Sequence, residues 1–390
     1  MPDSSMHDSM VVDHVDEQRS LADSKLAKYF EAAVKFQSSD LIMRAGHVPK
    51  LRLKGSLKNL DVPPVPSKEF ERAIESSLSE AQWKWYAEHG SIDLGVDFDI
   101  KGQIHRFRVN IFRTRGRSGI AARRVSAEIL NLDDLYMPES MYKLCDLHHG
   151  LVLLCGVTGS GKSTTIAALL DHINKNRACH ILTIEDPIEY LHPHKGCIVN
   201  QREIGSDTDS FKAALKYILR QDPDVVLIGE LRDLETIEAA LTVAETGHLA
   251  FATLHTNSAI QTINRIVDVF PPYQQSQIRQ QLSFVLEAVM CQTLLPRANG
   301  PGRALALEVM VPNAAIRALM RDDKIHQIYS SMQMGQGKSG MQTMNQCLAS
   351  LVQRRLVDPE VAKGRSPDVE ELQSLINKGP AAANRGSGPA

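Results

Sequence analysis

Two kinds of apolar spacing run along this chain, and one gives way to the other near His149. Before that point the pattern is mixed. Lys25 to Phe36 sets Leu26, Tyr29, Phe30 and Ala33 at helical intervals. Pro63 to Pro66 reads as a loop. Lys68 to His89 is a second helical stretch, whole or broken, with Phe70, Ile74, Leu78 and Trp85 as its apolar positions. Ile92 to Ile111 then alternates in strand fashion. From Arg106 to Ile111 the two arginines and Asn110 share one face, while Phe107, Val109 and Ile111 share the other. This predicts a small α/β domain with one polar sheet face.

After His149 the apolar residues gather into short unbroken runs: Leu151–Cys155, Ile181–Ile184, Val225–Ile228 and Leu249–Leu254. Strands covered by helices on both faces have this character. Helical spacing fills the gaps, at Lys162–Asn174, Ser210–Arg220 and Leu234–Glu245. Alternation of this kind predicts an α/β fold with a mostly parallel sheet. Beyond Asn257 the chain reads as mostly helical, through Gln274–Leu295, Asn313–Met320 and Met341–Arg355. The expected organisation is a disordered, acidic leader over 1–22, a first domain over 23–128, a second over 129–376, and a flexible tail over 377–390.

Composition narrows the function. With 390 residues and 43% hydrophobic content, two folded domains with real cores are the natural expectation. The formal net charge of −2 gives no polycation, which weakens a role resting on phosphate neutralisation along a nucleic acid. The six cysteines are scattered, and none forms the paired CxxC of a zinc ribbon. They read as reduced, mostly buried thiols of a cytosolic protein. The acidic start lacks the basic and apolar segments of a secretory signal, and no apolar run approaches the ~18–20 residues that span a bilayer. Any membrane association is therefore expected to come through a partner.

The chemistry concentrates after the first apolar run of the second domain. Gly156-Val-Thr158-Gly159-Ser160-Gly161-Lys162-Ser163-Thr164 follows a strand and opens a helix. Glycines let successive backbone N–H groups turn inward on phosphate, and the helix N-terminus adds partial positive charge. In such a loop Lys162 reaches the β- and γ-phosphates, and Ser163 sets a hydroxyl on Mg²⁺. ATP and Mg²⁺ are the expected ligands.

A parallel sheet binds its ligand beyond the carboxyl ends of its strands. Those ends here carry Glu185, with Asp186 and Glu189 behind it, then Glu230, then His255. Glu230 is the first choice for the carboxylate that orders attacking water or the Mg²⁺ shell, and Glu185 is its rival as base. A structural role, capping a helix or pairing with an arginine, stands against both. His255 is placed to sense the terminal phosphate. His248, at the opposite end of the same strand, faces either a neighbouring subunit or nothing in particular.

Seven arginines (106, 108, 113, 115, 117, 123 and 124) fall within 19 residues of the first domain. Nucleic-acid binding, a solvated face, and arginine fingers that act on ATP of the next subunit are the three readings that spacing leaves open.

Together these segments resemble the secretion and pilus ATPases, and among them the retraction (PilT-type) ATPases of type IV pili. The likeness runs from about Asp23 to about Leu375. It rests on the glycine loop, on Ile181-Leu-Thr-Ile-Glu-Asp-Pro-Ile-Glu189 (an acidic box) and on Asp222-Pro-Asp-Val-Val-Leu-Ile-Gly-Glu-Leu-Arg-Asp233 (a Walker B segment). It rests also on Thr246-Gly-His-Leu-Ala-Phe-Ala-Thr-Leu-His-Thr-Asn257, a histidine box. Ala315-Ile-Arg-Ala-Leu-Met-Arg-Asp322 resembles the retraction signature, with Ala318, Met320 and Asp322 departing from it, and Ile42 stands where a histidine is usual. The resemblance implies a homohexamer whose subunits join a PAS-like N-terminal domain to a RecA-like P-loop ATPase domain. It implies that ATP is completed by N-terminal arginines, with Arg108 and Arg123 the best positional matches and Arg113 a further one. It also implies a motor for pilus retraction and twitching motility, at the cytoplasmic base of the machine, against an inner-membrane platform protein. Assembly or type II secretion, an accessory paralogue acting with a second retraction ATPase, and a nucleic-acid translocase are the alternatives.

Overall fold

The computed structural model describes residues 20–378, apart from 54, 126–127 and 336–339. Most of the expected leader and tail lies outside the described residues; Leu21 opens a short 3-10 turn capped by Ser20 and is buried, and the last helix ends at Asn377. The chain divides into two compact units, Met1–Val125 and Ser126–Ala390.

The first unit contains α1 (Ala27–Lys35), β1 (Asp40–Arg44), β2 (Lys50–Leu53), β3 (Ser56–Asn59), α2 (Ser67–Ser77), α3 (Glu80–His89), β4 (Ser91–Ile100), β5 (Gln103–Thr114) and β6 (Arg117–Arg124). Its six strands form one antiparallel sheet in the order β3-β2-β1-β6-β5-β4. The hairpins β4–β5 and β5–β6 turn on Lys101-Gly102 and Arg115-Gly116, all four with positive φ, as two-residue turns between right-twisted strands require. The alternation expected for β5 is present: Phe107, Val109 and Ile111 are fully buried, and Arg108 on the other face is exposed. Phe107 meets Phe30 and Phe98 edge-on, with ring centres 5.1 and 5.4 Å away.

The stretch 68–89 takes the broken form: it is two helices, parted at Leu78-Ser79 by a capping box from Ser79 to Gln82. Within α3 it is Tyr86 that is buried, whereas Trp85 is 55% exposed and stacks on His89. Strands β1, β2, β3 and β6 were not anticipated. β1, β2 and β3 are only 5, 4 and 4 residues long, and β6 has Ile120 as its one large apolar residue, so little apolar signal marks them.

The second unit begins with α4 (Glu139–Cys145) and β7 (Gly150–Cys155). There follow α5 (Lys162–Asn176), β8 (His180–Glu185), β9 (Ile198–Glu203), α6 (Phe211–Ile218), β10 (Val225–Ile228), α7 (Leu234–Glu245), β11 (Leu249–Leu254), α8 (Ala259–Asp268), α9 (Pro272–Val285), β12 (Leu286–Pro296) and β13 (Arg303–Met310). The remainder is helical: α10 (Ala314–Arg321), α11 (Ile328–Met334), α12 (Met344–Gln353), α13 (Pro359–Lys363) and α14 (Val369–Asn377). The seven-stranded sheet runs β13-β12-β7-β11-β10-β8-β9, parallel throughout except for β12 with β13. Every residue of β7, β10 and β11 is buried. Each such Leu, Val or Ile contributes about 1.5–3 kcal/mol relative to exposure, so the centre of this sheet is the most strongly determined part of the fold.

One expected helix is corrected. Helical spacing was read through Gln274–Leu295, but α9 stops at Val285 and β12 follows without a break. Leu286–Leu295 is apolar on both faces because it lies between β7 and β13, and such a run has no period that separates helix from strand. Sheet pairing decided it.

Candidate functional site

The glycine loop lies between the end of β7 and the start of α5. Gly156, Gly159 and Gly161 have φ of 142°, 80° and 92°. At Gly156 the restriction is steric as well: a Cβ there would lie 2.5 Å from the Gln292 carbonyl oxygen. Gly159 is at the open tip, where a Cβ would meet nothing within 4 Å, and Thr158 beside it is exposed. Lys162 Nζ donates to the carbonyls of Gly156 at 2.6 Å and Val157 at 3.3 Å, so the ammonium stands inside the mouth of the loop. Burial pulls this lysine below the ordinary range, and the negative charges of Glu230 and Glu189 pull it back up. Ser163 is partly exposed in the first turn of α5, and the Thr164 hydroxyl lies 2.8 Å from that of Tyr190.

Ser160 is buried to 2%, yet its Oγ has no hydrogen-bond partner among the described residues. Gln292 of β12 braces the loop from behind. Its Nε2 donates to the Ser160 carbonyl at 2.8 Å, while its Oε1 is buried without a partner among the described residues. Such atoms are costly in a closed interior; the Ser160 hydroxyl can donate to an anion in the loop, whereas the Gln292 oxygen can only accept. The loop, Lys162 and the Ser160 hydroxyl fit the phosphates of a nucleotide.

The other strand ends converge on this edge by register. Ile228 pairs with Ile184 on one side and Ala252 on the other, and Leu254 pairs with Cys155, the residue before the loop. The turn after β10 is fixed from both sides: Gly229 N donates to Ile184 O at 2.8 Å, and Leu231 N to Thr253 O at 3.0 Å. Glu230 is thereby set between Glu185 and His255. Its Oε2 pairs with Arg232 at 2.7 Å, and its Oε1 lies 3.3 Å from His255 Nε2.

Glu185 is different. It is buried, and its Oε1 accepts from both Thr183 Oγ1 at 2.7 Å and Gln201 Nε2 at 3.1 Å. Burial pushes its carboxyl above the usual range, against the lowering by those two hydrogen bonds and by one from the Glu189 backbone.

His248 is not part of this cluster. It precedes β11, a strand of six residues whose other end leads to His255, and its Nδ1 lies 3.0 Å from Thr246 Oγ1. Arg108, Arg113 and Arg123 belong to the first unit. Arg108 and Arg123 are direct cross-strand partners. Arg123 pairs with Asp40 at 2.9 Å, and Arg52 reaches the same carboxylate at 3.2 Å. On its other flank Arg108 faces Gly95, and no ion pair forms to it among the described residues. Arg113 lies over the Tyr86 ring, 5.3 Å from its centre. Arg317 of α10 is tied to the sheet side of the molecule. It donates to the carbonyls of Ser283 and Phe284 at the end of α9 and pairs with Glu287 at 2.9 Å.

Sequence reasoning missed Arg232, Tyr190 and Gln292. Arg232 follows Glu230 by two positions and was legible as its partner. Gln292 shows only as a neutral polar residue within an apolar run. It missed as well a cavity of about 440 Å³ whose lining includes Tyr136, Leu294, Arg297 and Arg303. Leu294 joins it to the loop, since its Cδ1 lies 3.5 Å from where a Gly161 Cβ would be.

A glycine loop and lysine at the carboxyl edge of a buried parallel sheet, faced by acids from adjoining strands, is the architecture of P-loop NTPases in their RecA-like form. Comparison with known proteins carries this further. Residues 92–361 match the family model described as type II/IV secretion system protein. The chain is 45% identical to the type IV pilus retraction ATPase PilT of Pseudomonas aeruginosa, over 84% of its own length and 94% of that protein's. It is 43% identical to a twitching motility protein of Neisseria gonorrhoeae, over 83% and 86%. The crystal structure of the pilus retraction motor PilT with bound ADP superposes with a TM-score of 0.81 at 46% identity, covering 90% of this chain and 99% of that one. The chain belongs to the type II/IV secretion system protein family.

Proposed function

We propose that this protein is a magnesium-dependent ATPase that works as a homohexameric motor for type IV pilus retraction and so for twitching motility. The observation that carries the reading is the convergence of Lys162, Glu230 and His255 on one edge of the sheet, in a chain alike over most of its length to a pilus retraction ATPase. No helix of the described residues is long and apolar enough to cross a membrane, which accords with a motor at the cytoplasmic base of the machine, acting through an inner-membrane platform protein.

The loop amides of Gly156 to Ser163 would hold the β-phosphate, Lys162 would bridge to the γ-phosphate, and Ser163 would contribute its hydroxyl to the metal. Mg²⁺, when bound with ATP, supplies charge neutralisation on the phosphate oxygens. Glu230 orients and deprotonates water. It is better suited than Glu185, because it is reached by solvent, whereas Glu185 is enclosed and already bonded to Thr183 and Gln201. His255 donates toward the terminal phosphate from the neighbouring strand end. The cavity beyond Leu294 takes the base, with Tyr136 and Arg297 as its planar groups. Arg108 is the foremost finger arginine, completing the site of an adjacent subunit, with Arg123 held behind it by Asp40. Arg113 is a further arginine for that site, and His248 serves subunit contact in the ring.

The test is steady-state phosphate release by the purified chain, with and without Mg²⁺, together with gene deletion. Magnesium-dependent release, with surface pili kept and twitching lost in the deletion strain, is expected. Loss of surface pili would transfer the protein to pilus assembly.

A further inference from the structure

Glu308 is buried in β13, and among the described residues no basic side chain pairs with it. Each of its oxygens is instead committed to a helix. Oε1 accepts the Ala259 N–H at 2.7 Å, and Oε2 accepts the Met344 N–H at 3.3 Å. Ala259 is the first residue of α8 and Met344 the first of α12. Two positive helix ends therefore hold one carboxylate.

The position of Glu308 in the sheet gives this a direction. It pairs in register with Cys291, Cys291 with Cys155, and Cys155 with Leu254. Glu308 thus lies in the same cross-strand row as the residue before the glycine loop and the residue before His255. A buried polar contact closes the circuit from the helix side. Thr262 of α8 lies 2.7 Å from Thr256 Oγ1 and donates to Cys155 Sγ at 3.3 Å. The segment from His255 to Ser258 has no regular structure of its own, so its placement comes from these bonds at the start of α8.

We propose that Glu308 is a positioning residue for His255: by pinning the first turn of α8 to β13 and α12, it sets the imidazole against Glu230 and ties that setting to the C-terminal helices. The proposal rests on the ATPase reading above. A carboxylate meets both amides with an acceptor. An amide in its place would turn an N–H toward one of them and release α8 or α12.

The experiment is a double-mutant cycle in the full chain, read by single-turnover hydrolysis, with MgADP affinity measured in parallel. Glu308→Gln should slow hydrolysis about 10- to 100-fold, the scale of a misplaced catalytic group. MgADP affinity should change by less than about threefold, since the phosphate loop keeps its own bonds. In a His255→Ala background the same substitution should cost less than about twofold, because the group it positions is gone. An equal loss in both backgrounds, or no loss in the unaltered chain, overturns the proposal. Should Glu308→Gln fail to fold, Thr262→Val runs the same cycle with the same two outcomes. Failure of the unaltered chain to bind MgADP would instead defeat the ATPase reading, and so stays distinct.

Discussion

Glu230 Oε1 and His255 Nε2 stand 3.3 Å apart, each just beyond the carboxyl end of its own strand. Register brings the two strand ends side by side, contacts at the start of α8 seat the segment that follows His255, and neither residue needs the other to be where it is. The second oxygen of Glu230 meets Arg232, whose side chain is 61% exposed, and a bridge this open adds only about 0–1 kcal/mol. Glu230→Gln should therefore leave stability within about 1 kcal/mol of the original. It should lower ATP turnover about 100-fold or more while nucleotide still binds. Phosphate release and fluorescent-nucleotide titration check both halves, and turnover at the original rate would remove Glu230 from the mechanism.

Lys162 makes its only hydrogen bonds among the described residues to two carbonyls of its own loop. Truncation therefore leaves no buried acid unpaired. Lys162→Ala is expected to abolish turnover, by about 100-fold or more, with a melting temperature close to the original. A calorimetric scan beside a phosphate-release assay reads this directly. A large drop in melting temperature with residual turnover would mark the lysine as structural.

Glu185 predicts a pH effect. Its native pKa is raised by burial above the ordinary glutamate value of 4.5. Above that value the unfolded chain releases this proton before the native one does, so the unfolded state binds fewer protons and stability falls as pH rises. Thr183 and Gln201 donate to Oε1, which a glutamine retains, and a backbone bond from Glu189 also reaches the carboxylate; the burial of charge is what the substitution removes. Glu185→Gln should therefore raise the melting temperature relative to the original chain, and more so at pH 8 than at pH 4. Turnover in this variant should persist; its loss would transfer the base to Glu185.

Arg108 predicts a mixing result. It faces Arg123 across the strand pair, an arrangement that like charges disfavour, and Asp40 neutralises only Arg123 and Arg52. Arg108→Ala should leave the first unit stable and lower turnover. Mixing it with Lys162→Ala subunits should restore part of the activity if the arginine acts on a neighbour's site. Strictly additive activities in the mixture would place its role elsewhere.

How much of this was legible depended on where the information lies. The runs 151–155, 225–228 and 249–254 became β7, β10 and β11 almost residue for residue, because burial on both faces leaves a local apolar signature. The glycine loop was legible for the same reason, since phosphate binding constrains consecutive residues. β12 was read as helix because its apolar run has no period, and its identity is decided by pairing, with Leu151–Cys155 far back in the sequence and with the strand Arg303–Met310 that follows it. Gln292 and Glu308 went unremarked because each acts through a contact that only the sheet order creates, whereas Arg232, two positions from Glu230, was within reach of the sequence. The loop brace from Gln292 to Ser160 joins residues 132 positions apart.

The central claim is that the loop from Gly156 to Thr164 holds a magnesium nucleotide. Isothermal titration of the folded, full-length chain with MgADP measures it most directly. Saturable binding that disappears with EDTA or in Lys162→Ala is the expected result; a folded chain that takes up no nucleotide, or binds it equally well without Lys162, contradicts the account.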